Sequence, residues 1–118
     1  MSETPPPAPP RMLVLVADLF FASKISAEAR AAGCPITMLR DPAKLAGQSG
    51  RALIVDLNLP GAITAAGEWR KATDATVIGF VGHTDETAIA QARAAGIEQV
   101  LARSRFVQVL PELLKPAH

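Results

Sequence analysis

The sequence predicts an α/β fold, a doubly wound parallel sheet of five strands in a single domain. Three observations lead there. Short β-branched and leucine-rich runs alternate with alanine-rich stretches of helical period, the pattern of a parallel sheet covered on both faces. The length of 118 residues suits one domain. A hydrophobic content of 49% against 19% charged residues supplies one packed core and excludes a wholly disordered polymer.

Residues 1–10 carry Pro5, Pro6, Pro7, Pro9 and Pro10, which remove backbone donors and favour extended polyproline II. The segment reads as a solvated, disordered tail before a domain spanning 11–118, with a proline-recognition ligand as the alternative. The first strand follows as Met12 to Ala17, apolar and ended by Asp18. Phe21, Ile25, Ala29 and Ala32 then recur at helical spacing until Gly33 offers a left-handed stop. Ile36 to Leu39 makes a brief second strand. Asp41 is placed to cap a short helix opened by Pro42 and closed near Gly47.

Ala52 to Val55 is continuously apolar, which predicts a central strand with Asp56 at its carboxyl end. The loop Asn58-Leu59-Pro60-Gly61 leads to a helix over about 62–71, weakened by Gly67 by roughly 1 kcal/mol relative to alanine. Thr76 to Val81 is the fourth strand. Thr84 is placed to cap the next helix, with Asp85 and Glu86 near its positive end and Ala88, Ile89, Ala92 and Ala95 as its apolar stripe. Gln99 to Ala102 supplies the last strand. Phe106, Val107, Leu110, Leu113 and Leu114 make an amphipathic closing helix, which Pro111 kinks or restarts.

Composition narrows the function. Lys and Arg total 12 against 11 Asp and Glu, a formal charge of +1, so no broad attraction to nucleic acid is implied. The longest apolar run is far shorter than the roughly 20 residues that span a bilayer, and no basic n-region precedes it. The lone Cys34 has neither a disulfide partner nor the companions of a zinc site, which fits a reducing, cytoplasmic setting.

In an open α/β sheet the ligand site lies outside the carboxyl ends of the strands. Here those ends bring Asp18, Asp56, Gly82 and Arg103 to one edge. Two carboxylates beside a guanidinium suit a hard divalent cation and a phosphoryl group.

The segment ALIVDLNLPG, Ala52 to Gly61, together with AAG at Ala94 to Gly96 and the following IEQVLARS, resembles the receiver domain of two-component response regulators. The resemblance covers everything after the tail and implies a CheY-like, flavodoxin-like fold. It implies Asp56 as phosphoacceptor, Asn58 as donor of a backbone carbonyl to magnesium, and Pro60 in the following loop. Asp18, Asp56 and Asn58 are then weak candidate Mg2+ ligands; no cofactor is otherwise required.

Departures from that pattern point to a degenerate site. The usual pair of acids after the first strand is Ala17-Asp18, so one metal-organising carboxylate is missing. The hydroxyl residue at the end of the fourth strand falls at Gly82, and the lysine after the fifth strand is replaced by Arg103, bulkier and planar. Ser104 stands where a proline usually follows, and the spacing from Asp56 to Gly82 is short for the family.

Each candidate also has a plainer reading. Asp56 is an acceptor or a loop-capping acid, and Asp18 a metal ligand or a helix-entry acid. Arg103 is expected to form an ion pair with Asp56 or Asp18 rather than to meet a phosphate. His83 reads as a solvated loop residue before a base, Trp69 as a packing residue before a binding anchor, and Cys34 as a plain thiol.

The leading functional expectation is a stand-alone, receiver-like signalling module acting by protein–protein contact, with atypical or lost phosphorylation, and not an enzyme. The resemblance places the partner surface at Thr84 to Leu114, for a kinase, a regulator or a second copy. A genuine single-domain response regulator phosphorylated at Asp56 with Mg2+ is the first alternative. A small phosphatase-like or flavodoxin-like enzyme is the second; it lacks a second acid at Asn58, room for a cap domain and a phosphate-cradling loop.

Overall fold

A computed structural model describes residues 11–82, 86–97 and 99–115. The elements run β1 (Met12–Leu15), α1 (Leu19–Ala32), β2 (Ile36–Leu39), a 3-10 turn (Pro42–Lys44), β3 (Ala52–Asp56), α2 (Ala62–Thr73), β4 (Thr76–Val81), α3 (Glu86–Ala94), β5 (Gln99–Ala102) and α4 (Arg103–Leu113). All strands are parallel, in the order β2-β1-β3-β4-β5. The chain reverses direction across the sheet after β2, so β1 and β3 flank the switch point. The predicted five-stranded, doubly wound sheet is what forms, with β3 at its centre.

Side-chain alternation along β3 divides the core in two. Leu53, Val55 and Leu57 face α2, α3 and the 3-10 turn, packing with Leu13, Leu15, Trp69 and Ala92. Ala52 and Ile54 face α1 and α4, packing with Phe21, Ile25, Phe80, Phe106 and Leu110. Every residue of β3 is buried on both faces, the burial a central parallel strand requires.

Local chemistry accounts for most boundaries. The Asp18 side chain accepts from the backbone of Phe20 and Phe21 to start α1, and Gly33 ends it in the left-handed conformation at φ 68°. Between β2 and β3 the expected helix is only one 3-10 turn. Asp41 caps it and Pro42 opens it, as predicted, but Gly47 turns the chain at φ 81° before a second turn forms. The helix α2 runs two residues beyond the expected Lys71 and closes on Asp74, at φ 57°. Pro111 does not restart α4, which continues through it for two more residues. Thr84 and Asp85 lie outside the described residues, as do His83 and residues 1–10.

Gly67 costs helix propensity but permits close packing of α2 on the end of α3. A Cβ there would stand 2.9 Å from the Ala95 carbonyl oxygen and 3.0 Å from its Cβ. Cys34 is buried at the amino-terminal side of the α1/α4 core, where the Arg51 guanidinium donates to its sulfur at 3.4 Å. Trp69 is packed, as predicted, with its indole N–H donating to the Gln48 carbonyl at 2.9 Å.

Candidate functional site

The carboxyl ends of β1, β3, β4 and β5 meet at one edge, and Asp56 is its centre. As the last residue of the central strand it stands in register with Phe80 and is 8% exposed, among the described residues the one buried polar or charged side chain. Its Oδ1 accepts from the backbone N–H of Asn58 at 2.9 Å. Asn58 in turn uses its side-chain oxygen to accept from the Gly82 N–H at 2.7 Å, tying the loop after β3 to the end of β4.

Burial pushes the Asp56 carboxyl above its usual range, because the charged form loses its hydration. The Asn58 N–H and the positive charge of Arg103 oppose that rise, and the negative charge of Asp18 adds to it. A carboxyl raised on folding binds more protons in the native state than in the unfolded chain. Stability therefore declines as pH climbs from 3.8 to the raised value and is level above it. Asp56→Asn, which keeps an oxygen for the Asn58 N–H, is expected to be more stable than the natural chain at neutral pH and to lack this decline. Urea denaturation of both proteins from pH 3 to pH 8 measures it.

Arg103 does not form the expected ion pair with Asp56 or Asp18. It opens α4 directly behind β5, and its guanidinium carbon lies over the Phe21 ring, 4.6 Å from the centroid. Phe21 is held there by aromatic neighbours: its ring centroid is 5.2 Å from that of Phe80, which stacks on Phe106 at 4.4 Å. The side chain thus exchanges a carboxylate partner for a π face, and its buried Nε makes no hydrogen bond. The guanidinium also borders Gly82, where an added Cβ would lie 3.5 Å from its carbon and 3.4 Å from the Asn58 side-chain oxygen.

Asp18 serves as a cap. Its Oδ1 accepts from Phe20 N–H at 2.8 Å and Phe21 N–H at 3.2 Å. The oxygen donors open to a divalent cation are therefore the second oxygens of Asp18 and Asp56 and the Asn58 carbonyl, and the Arg103 charge stands against a second cation. Among the described residues no three His, Cys, Asp or Glu side chains come together as a metal set. Magnesium takes near-octahedral oxygen coordination, in which water completes what one or two carboxylates begin.

Residues that sequence reasoning missed lie beside Asp18. Leu19 and Phe20 are 64% and 76% exposed, the large hydrophobic residues open to solvent among those described. The helical period that buries Phe21, Ile25 and Ala29 leaves positions 19 and 20 off the apolar stripe, a signal hidden inside the run LFF.

No protein-family model matches the sequence, and no curated protein matches it. Solved structures do match in shape. A CheY-like response regulator receiver domain from Methanospirillum hungatei JF-1 superposes with a TM-score of 0.74 at 14% identity, over 91% of this chain and 94% of that one. The chain has the receiver fold. The phosphorylated cyanobacterial phytochrome response regulator RcpA matches with a TM-score of 0.75 at 12% identity, covering 90% of this chain and 91% of that one. The Mn2+-bound response regulator Rcp1 gives 0.72 at 16% identity, over 91% and 90%. The receiver fold is thus shared with proteins that carry a phosphoryl group and a metal, and this chain's chemistry must be argued from its own edge.

Proposed function

We propose that this chain is a receiver-type signalling module of a two-component or phosphorelay system that works by contact with protein partners, with phosphorylation of Asp56 weakened or lost. The observation that carries this reading is the placement of Arg103. Its guanidinium rests on Phe21 and against Gly82, so the cation that should greet a phosphoryl group is committed to an aromatic ring. Phosphoryl transfer depends on charge stabilisation held in position, and here the second acid, the hydroxyl and the compact lysine are all replaced.

Contact as the output is supported by the exposed Leu19 and Phe20 at the rim of the edge, a larger apolar exposure than a lone surface residue gives. The surface 84–114 remains the partner face that the receiver resemblance suggests, for a kinase, a regulator or a second copy. A near-neutral charge gives no reason to invoke nucleic acid, and no helix among the described residues is long and apolar enough to cross a membrane.

A second reading keeps Asp56 as a working acceptor with Asp18 as the metal acid. It is favoured by the position of Asp56 at the carboxyl end of the central strand and by the phosphorylated state of RcpA. Incubation with acetyl phosphate and Mg2+, followed by intact mass measurement, separates the two. The proposal expects no stable mass increase that Asp56→Asn removes. A stoichiometric, Asp56-dependent increase establishes the second reading instead.

A further inference from the structure

Two features of the surface complement each other. The first is a knob. Leu19 and Phe20 open α1 with 64% and 76% of their surface exposed. The Phe20 ring meets Phe21 edge-on, with centroids 6.4 Å apart, and Phe21 is stacked on Phe80 and Phe106, so the exposed ring is braced from within. Lys24 follows four residues on, along the same side of the helix.

The second is a groove. The crossovers that contain α1, α2 and α3 carry helices of 14, 12 and 9 residues, whereas the β2–β3 crossover carries one 3-10 turn of three. Between the segment 42–49 and the outer side of α2 lies an open groove of about 690 Å³. Pro42, Ala46, Ala65 and Ala72 line it with small apolar side chains, which leave room for a ring. The bond from the Trp69 indole to the Gln48 carbonyl fixes the two walls to each other. Glu68, exposed, stands between Ala65 and Ala72, about one helical turn from each.

One turn is also the separation of Phe20 from Lys24. A ring seated against either alanine can therefore bring the Lys24 ammonium to the Glu68 carboxylate. Among the described residues neither Lys24 nor Glu68 is in an ion pair. Within one chain the knob and the groove cannot meet, because α1 packs on the sheet face shared with α4, and α2 and the 3-10 turn on the other.

We propose that the groove between residues 42–49 and α2 is a docking site for a second copy of this chain, which inserts Leu19 and Phe20 and pairs its Lys24 with Glu68. The contact joins two different patches, so each copy keeps a free knob or groove and assembly runs head to tail. A formal charge of +1 sets little repulsion between copies. The proposal names the partner under the contact reading above and rests on that reading, but not on the loss of phosphorylation at Asp56.

Sedimentation equilibrium of the full chain is the test. Its weight-average mass is expected to rise past that of a dimer between micromolar and millimolar concentration. Changing Leu19 and Phe20 together to serine, or Ala72→Arg in the groove, should each raise the dissociation constant at least about tenfold. Mixed in equal amounts, these two variants should form dimers that grow no further, because one keeps an intact groove and the other an intact knob. Lys24→Glu should weaken association, and adding Glu68→Lys to the same chain should restore it. Urea midpoints close to that of the natural chain show that the variants are folded. A natural chain that stays monomeric would overturn the proposal, as would serine changes that leave association untouched or a mixture that yields no dimer. A monomer would leave the acetyl phosphate result unchanged, so failure here is distinct from failure of the wider reading.

Discussion

Phe80→Ala is expected to destabilise the protein by about 3–5 kcal/mol, the cost of truncating a fully buried aromatic residue. Phe80 is 0% exposed, and its ring packs against those of Phe21 and Phe106, with centroid distances of 5.2 and 4.4 Å. It is also the residue in register with Asp56, so the cavity would open directly beneath the candidate site. A lowered urea midpoint with an unchanged slope measures the loss. Phe20→Ala is the matching control. That ring is 76% exposed, and its removal should change stability by no more than about 0.5 kcal/mol. Equal losses in the two variants would mean that the stack is not what holds this side of the sheet.

The second large effect is a gain of chemistry. The triple change Ala17→Asp, Gly82→Thr and Arg103→Lys restores the acid, the hydroxyl and the ammonium that the receiver pattern places around Asp56. A single preorganised charge-stabilising donor is worth roughly 10²–10³ in rate, so the restored set should raise Asp56-dependent phosphorylation by acetyl phosphate at least about 10²-fold. Geometry permits the change at Gly82. A Cβ at Gly82 meets nothing closer than 3.4 Å, and two of its three nearest atoms belong to the guanidinium that the lysine change removes. The initial rate of appearance of the phosphorylated mass is the readout, with Asp56→Asn in the same background as control. A restored protein no faster than the natural one would show that these three departures do not limit the reaction.

Much of this arrangement was legible in the sequence, for reasons that differ between residues. The strands and their buried faces follow from runs such as LIV at 53–55, and the position of Asp56 follows from the strand ending on it. Gly82 and Arg103 are placed by the ends of the fourth and fifth strands. What spacing could not show was their partners. The sequence predicts that Arg103 meets Asp56 or Asp18, because a buried or half-buried carboxylate needs a partner. The structure instead sets the guanidinium on the face of Phe21, a ring held by Phe80 and Phe106, so that the partner comes from α1 backed by β4 and α4. Asp18 has two readings in the sequence, and the structure shows the cap: an extended residue at φ −67° and ψ 119° directly before a helix offers one carboxylate oxygen to the first N–H groups, while the metal reading concerns the other oxygen. The short helix expected from Pro42 to near Gly47 is a single 3-10 turn, capped by Asp41 and followed by the Gly47 turn as the sequence implies, because a cap starts a helix without sustaining one over so few residues. Gly67 showed its cost in the sequence and its purpose only in the packing against Ala95.

The proposed function requires that the oxygen donors left at this edge, beside the Arg103 guanidinium, no longer gather a divalent ion. A Mg2+ titration of the natural chain, followed through the backbone amide signals of Asp56, Asn58 and Gly82, tests it most directly. The account predicts no saturable shift of these signals at millimolar Mg2+, and the appearance of one in the triple variant. Saturable, site-specific shifts in the natural chain, abolished by Asp56→Asn, would contradict it.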